Sequence, residues 1–286
     1  MKIALGTVQF GMDYGIANRT GQVPKSAIAS ILARARAASI DTLDTAIAYG
    51  DSETRLGECG VREFRVFTKL PKLDDASDVR RQVLDSIERL GIERLAGVFL
   101  HRSGDLGDAD PSDADRLFST LLELKTQGIA GKIGVSVYDP SELDAVFHRF
   151  PLDVVQAPYN VLDRRIETSG WLGRLSRAGV EVHCRSAFLQ GLLLMKSEVR
   201  PPHFHQWGGL LAVWDEWLAE SGQSALSAAL GFACANPLVD RVVVGVDGAA
   251  QLDEILDAMD VSYSAPPPGL FTNDPELINP ARWKLS

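Results

Sequence analysis

Short runs of β-branched and apolar residues alternate along the chain with stretches whose apolar positions recur every three or four residues. The first pattern predicts buried strands and the second predicts amphipathic helices. Strands are predicted over residues 3–7, 42–46, 65–70, 97–101, 133–137, 154–157, 181–186 and 241–246. Between them, Ile28, Ile31, Leu32 and Ala35 mark one apolar helical stripe, and Val79, Val83, Ile87 and Leu90 mark another. Further helices are predicted over 112–127, 141–149, 165–177 and 251–259, with an extra pair over 210–218 and 225–235 ahead of the last strand. Alternating β and α segments imply a parallel sheet, and eight such units in 286 residues predict an α/β fold of the (β/α)8 TIM-barrel kind. No Gly-Ser linker, charge block or composition break divides the chain, so one domain over 1–286 is expected, with the tail 261–286 packing on the barrel.

Composition narrows the partners. With 38 Asp and Glu against 29 Lys and Arg, the formal charge is −9, and the basic residues form only short clusters such as Arg80 with Arg81 and Arg164 with Arg165. That balance argues against a nucleic-acid or anionic-membrane surface. Cys59, Cys184 and Cys234 are odd in number, far apart and free of C-x-x-C spacing, which fits a reducing cytoplasm rather than a disulfide framework or a zinc site. The opening MKIALGTVQFG has no apolar targeting core, and no run of roughly 18 apolar residues occurs. A soluble cytoplasmic protein is expected, as a monomer or small homo-oligomer acting on a small molecule.

In such a barrel the C-terminal ends of the strands carry chemistry, and polar residues collect there. In TLDTAIAYGDSE, Asp44 closes the second strand and Tyr49 follows five positions later; Lys69 closes the third in VFTKL, and His101 the fourth in VFLHR. Each has an ordinary structural role as well: a helix-capping Asp, a rim Lys, a hydrogen-bonded His, a half-buried Tyr. Together they fit proton transfer. A phenol of solution pKa about 10 needs a nearby cation to act at neutral pH, Lys69 offers that cation, and Asp44 would keep it protonated. His101 would then orient a carbonyl oxygen beside the Tyr49 hydroxyl.

On LDTAIAYG, FTKL and FLHR, in that order, the chain resembles the aldo-keto reductases, from ALGTVQFG almost to the C-terminus. The resemblance implies catalytic roles for Asp44, Tyr49, Lys69 and His101. It also implies NADP(H) first and NAD(H) second as cofactor, bound in extended form over the barrel mouth, and a carbonyl substrate. No G-x-G-x-x-G follows a strand, in keeping with a site that lacks a Rossmann unit. The family pattern assigns Ser136 and Gln156 to the nicotinamide carboxamide. It puts Arg185, where a tyrosine is common, beside the nicotinamide ring, followed by Ser186. Phe188, Gln190 and Gly191 would run along the pyrophosphate, and Gly245 and Gly248 would let the backbone approach phosphate. Gln251 and Gly245 replace basic residues that relatives aim at the 2′-phosphate, while Glu254 fits the adenine side. The opening ALGTVQFGMDYGIANRTG is also similar to a bacterial subgroup of sugar and surface-polysaccharide gene clusters, which implies a sugar-derived carbonyl.

Other readings of the same residues make different predictions. Lys69 as a Schiff-base lysine would make the barrel an aldolase. A cofactor-sensing or regulatory member of this fold would bind the nucleotide with little turnover. His203 and His205 form an H-x-H, but in the loop beyond strand seven, where a rim role is expected rather than metal ligation. Trp207, Trp214 and Trp217, at about helical spacing, are expected to pack.

Overall fold

The structure is a computed structural model that describes residues 1–72 and 78–285; residues 73–77 and Ser286, the end of the expected tail, lie outside the described residues. Eight parallel strands close into a barrel in sequence order: β1 (Ile3–Gly6), β2 (Thr42–Asp44), β3 (Arg65–Leu70), β4 (Gly97–Leu100), β5 (Ile133–Ser136), β6 (Val154–Pro158), β7 (Glu181–Arg185) and β8 (Arg241–Gly245), with β8 returning to β1. All eight expected strands are present. Most stop one or two residues short of the expected end, because the last apolar residues belong to turns over the barrel mouth. Ala46, for example, lies past β2 and its carbonyl accepts from Tyr49 N at 3.0 Å.

The helices Lys25–Ala37 and Asp78–Leu90 bury the expected stripes, Ile28, Ile31, Leu32 and Ala35 in one and Val79, Val83 and Leu90 in the other. The predicted helix over 165–177 is instead two pieces, Arg165–Thr168 and Trp171–Arg177, separated at Gly170 with φ +80°. That left-handed conformation is open to glycine at little cost and ends the first piece. The helix expected over 141–149 shortens to Glu142–Val146. A helix at Ser52–Cys59 escaped the periodicity search, because two of the three residues it buries, Ser52 and Glu53, are polar.

Inside the barrel, alternate residues of each strand point to the axis. Phe67, Phe99 and Val154 form an internal cluster, and the buried ring of His183 lies 4.8 Å from Phe67 and 5.8 Å from Phe99. Lys69, two residues beyond Phe67, shares its inward face one layer nearer the mouth. The outer layer of Thr68 faces the helices, where it donates to Glu53 at 2.6 Å. The C-terminal segment is tied down by Leu270, Leu277 and Ile278, all buried, and by Trp283 against Phe204 at 4.9 Å. Trp214 and Trp217 pack in the core as expected, and Trp207 donates its indole N–H to Asp274 at 2.8 Å.

His183 supplies a stability prediction. Burial holds its pKa down to about 3, against opposition from Asp44 and Asp240 and with support from Arg241 and Lys132; its Nε2 faces Glu181 at 2.8 Å and its Nδ1 has no partner. The unfolded chain binds a proton there below about pH 6.5 while the native one does not, so stability is full above that pH and falls as pH drops toward 3. The expected slope from this residue is about 1.4 kcal/mol per pH unit in that window. Urea unfolding of wild type and His183→Leu between pH 7 and 4 checks it: the variant should lose that share of the slope, and an identical slope would refute the assignment.

Candidate active site

Two short loops meet over β1 and β2, and their glycines set how closely. A Cβ on Gly11 would fall 1.7 Å from the Tyr49 carbonyl oxygen, and one on Gly50, whose φ is +55°, would fall 2.2 Å from the Gly11 oxygen. Backbone therefore packs on backbone beneath Tyr49. The turn is fastened further by Ile47 N donating to Lys69 O at 3.1 Å and by Ser52 Oγ donating to Thr7 O at 2.9 Å. Glu53, 3% exposed, then locks the following helix: it accepts from Thr68 and Ser86 at 2.6 Å each and takes both Arg89 donors at 2.7 and 2.9 Å. Sequence reasoning passed over Glu53, although a carboxylate four residues after Tyr49 and amid helix-forming residues was visible.

Held in this way, the four expected catalytic residues come together. Lys69 Nζ lies 2.5 Å from Asp44 Oδ1 and donates to Thr45 O at 3.1 Å, and both side chains are almost wholly enclosed. Asp44 Oδ2 accepts from Gln156 Nε2 at 2.7 Å, so Gln156 reaches the Asp44 carboxylate from across the barrel. The Lys69 ammonium lies 5.1 Å from the centre of the Tyr49 ring, and the Tyr49 and His101 rings meet edge to face at 5.9 Å.

The electrostatics differ in one respect from the sequence expectation. Burial, followed by the Asp44 carboxylate, pushes the Tyr49 phenol well above its usual range, and the cation that opposes this is Arg185 rather than Lys69. The reason is geometric: Lys69 directs its hydrogen bonds to Asp44 and Thr45, and its charge is largely cancelled there. Burial also pulls the Lys69 ammonium down, with Asp44 opposing. His101 is held down to about 4 by burial, then by Lys69 and Arg185, so at neutral pH its imidazole is uncharged.

Tyr49, His101 and Asp44 line a cavity of about 390 Å³ that takes in the ends of β5, β6, β7 and β8. Of the expected cofactor residues, Ser136, Gln156, Arg185, Ser186, Phe188, Gln190, Gly191, Gly245, Gln251 and Glu254 line it. Gly248 does not; its backbone is extended, with φ −169°, and a Cβ there would meet nothing. A Cβ on Gly245, by contrast, would lie 2.4 Å from Gln9 Oε1. Lys69 is not on the wall either, which removes the access that a Schiff-base role requires. Sequence reasoning gave no cofactor role to Gln9, Tyr14, Tyr138 or Asp247, all on the wall. Tyr14, Tyr138 and Asp247 lie in loops, where no periodicity marks a residue as facing inward, and Gln9 lies in the four-residue helix Val8–Gly11, too short to show one. His203 packs between Phe204 and Trp207 and contributes nothing to this wall.

The cavity suits a nicotinamide dinucleotide. Its size falls in the range of small-molecule sites, and two enclosed wall atoms, Gln9 Oε1 and Asp247 Oδ1, have no protein partner and call for a ligand with hydroxyl or amide donors. The segment after β7 is bent to fit something: Ser186, Leu189 and Gln190 all have φ between +48° and +61°, and Asn160 Nδ2 holds the Ser186 carbonyl at 3.0 Å. Such conformations cost about 1–3 kcal/mol each and cluster where ligands are held.

Comparison with known proteins agrees with this geometry. The model of the Aldo/keto reductase family matches residues 2–266. Among curated proteins, the chain is similar to an L-glyceraldehyde 3-phosphate reductase of Escherichia coli, 26% identical over 198 residues, and to an NADH-specific methylglyoxal reductase of Escherichia coli, 26% identical over 217 residues. These matches take 61% and 67% of this chain and span 56% and 65% of the relatives' own lengths. Among solved structures, an aldo-keto reductase of Bacillus halodurans in its holo form superposes with a TM-score of 0.74 at 19% identity, covering 92% of this chain and 88% of that one. A glycerol dehydrogenase of Gluconobacter oxydans superposes with a TM-score of 0.73 at 21% identity, covering 92% and 88%.

Proposed function

Because this chain belongs to the aldo/keto reductase family, we propose that it reduces a short oxygenated aldehyde or ketone, sugar-derived carbonyls included, to the alcohol with a nicotinamide cofactor. One observation carries this: the Asp44–Lys69 pair lies buried beneath Tyr49 and His101 at one end of a cavity able to take the cofactor. The cofactor, when bound, supplies hydride to the carbonyl carbon. Ser136 and Gln156 would hold its carboxamide, Arg185 would lie against its ring, and Ser186, Phe188, Gln190 and Gly191 would follow its pyrophosphate, all of them on the cavity wall.

Tyr49 is the general acid. Its raised pKa keeps the phenol protonated at neutral pH, and a developing alkoxide is a strong enough base to take that proton. His101, uncharged, donates an N–H to the carbonyl oxygen and fixes it beside Tyr49. Lys69, its charge matched by Asp44, fastens the turn beneath the phenol ring through Thr45, Asp44 is held in turn by Gln156, and Arg185 is the cation that favours the developing phenolate. The names of the relatives, which speak of glyceraldehyde phosphate, methylglyoxal and glycerol, support a three-carbon or similarly small oxygenated substrate.

For the cofactor we propose NAD(H) ahead of NADP(H), the reverse of the order the resemblance implies, and the residues at the β8 end of the cavity support this reading. The β8 end of the cavity carries Asp247, Gln251 and Glu254, burial and then Asp13 raise the Asp247 carboxyl, and none of the lining residues there is a cation. A ribose diol finds acceptors in this environment, whereas a 2′-phosphate meets like charge. Absorbance assays of NADH and NADPH oxidation over a panel of aldoses, hydroxyaldehydes and dicarbonyls test both parts. NADH is expected to give kcat/KM about tenfold or more above NADPH, the size of one unfavourable charge contact. Turnover of neither cofactor with any carbonyl would overturn the proposed function.

A further inference from the structure

Arg185 closes β7 and reaches across the barrel mouth. One terminal nitrogen donates to the Val137 carbonyl at 3.1 Å and the other to Ser186 Oγ at 3.3 Å, with the guanidinium 4.2 Å from the centre of the Tyr138 ring. Val137 follows β5, and β6 lies between β5 and β7, so the side chain passes over the end of β6, two residues beyond Gln156. It therefore lies among the residues that the proposed function assigns to the nicotinamide.

Its charge has no counter-ion. Among the described residues, no carboxylate oxygen stands within 4.0 Å of the Arg185 guanidinium, whereas Lys69 is paired with Asp44 and Arg89 with Glu53. Asp44 already accepts from both Lys69 and Gln156. His101 is uncharged, and Tyr14, Tyr49 and Tyr138 are phenols. The catalytic end of the cavity thus holds one uncompensated positive charge.

We propose that Arg185 sets the oxidation-state preference of the bound cofactor, making the site hold the reduced nicotinamide more tightly than the oxidised one. The inference rests on the nicotinamide reading above. A flat guanidinium stacks on either form of the ring. The reduced ring is neutral, while the oxidised ring carries one positive charge and meets the guanidinium as a like charge in a partly desolvated site. Carbonyl reduction adds hydride at carbon and a proton from Tyr49 at oxygen, and it leaves the positive charge on the nicotinamide. Arg185 then speeds release of the spent cofactor and lets the reduced form compete against the oxidised one. The site is built to run as a reductase.

Titration of the full-length wild type with NADH and NAD+, followed by calorimetry or tryptophan fluorescence, gives the ratio of the two dissociation constants; the NADPH and NADP+ pair serves the same purpose if it binds more tightly. We expect NAD+ to bind at least about tenfold more weakly than NADH, a shift of ~30 mV in the two-electron potential of the bound couple. Arg185→Gln should shrink the ratio by about that factor, chiefly by strengthening NAD+ binding, while Arg185→Lys should retain most of it. Arg185→Met serves as a second charge-free variant should the first not fold. An unchanged ratio in a folded charge-free variant overturns the proposal and leaves the cofactor assignment standing. Absence of binding by any nicotinamide overturns both.

Discussion

Tyr49→Phe is expected to lower turnover by about 10²–10⁴-fold, the usual contribution of a positioned general acid, with cofactor affinity unchanged. The phenyl ring keeps every apolar contact of the phenol: it stays edge to face with His101 at 5.9 Å and above the Lys69 ammonium at 5.1 Å. What it loses is the proton to be transferred to the carbonyl oxygen, since the uncharged His101 only donates a hydrogen bond there and Lys69 has committed its hydrogen bonds to Asp44 and Thr45. The turn is fixed independently of the hydroxyl, by the close backbone contact of Gly11 with Tyr49 and by the Glu53 network. Loss of turnover with an unshifted melting temperature and an unshifted cofactor titration would place the effect on chemistry. A variant with wild-type kcat would remove Tyr49 from the mechanism.

Lys69→Met should cost both turnover and stability. The substitution preserves volume but leaves the Asp44 carboxylate 4% exposed with only the Gln156 amide and no cation beside it. Breaking a buried pair from one side typically costs about 3–5 kcal/mol, because the remaining charge is uncompensated. Removing the second charge should restore much of that loss. Asp44→Asn combined with Lys69→Met is therefore expected to unfold at higher urea than Lys69→Met alone while remaining inactive. This non-additivity separates a buried ion pair from two independent contributions. If the double variant proves no more stable than the single one, the two side chains are not coupled as the 2.5 Å contact implies.

Much of this was legible in the sequence, for identifiable reasons. A buried parallel strand is a short apolar run, so all eight were found to within a few residues. Where a polar residue ends such a run in a barrel, its position at the mouth follows from topology, and that placed Asp44, Lys69 and His101 correctly. The Ser52–Cys59 helix escaped because its buried face is half polar, and its key residue, Glu53, is understood only once Thr68, Ser86 and Arg89 surround it. Tyr14, Tyr138 and Asp247 sit in loops whose direction no period encodes, and Gln9 sits in a four-residue helix too short to show a period. Gly248, expected beside phosphate, is not on the cavity wall, whereas Gly11, to which the sequence reading gave no role, permits the closest backbone contact at the site.

The sequence by itself determined the order and type of the elements, the barrel they form, and which strand ends carry the reactive groups. Those properties are local, set by periodicity and by residue chemistry over a few positions. Only the closed barrel decided the partners: that Gln156 reaches Asp44 across 112 positions of chain, that Lys69 spends its charge on Asp44 and not on Tyr49, and that Arg185 ends without a counter-ion. Charge compensation depends on distances between strands far apart in the chain, and those are fixed by register and closure.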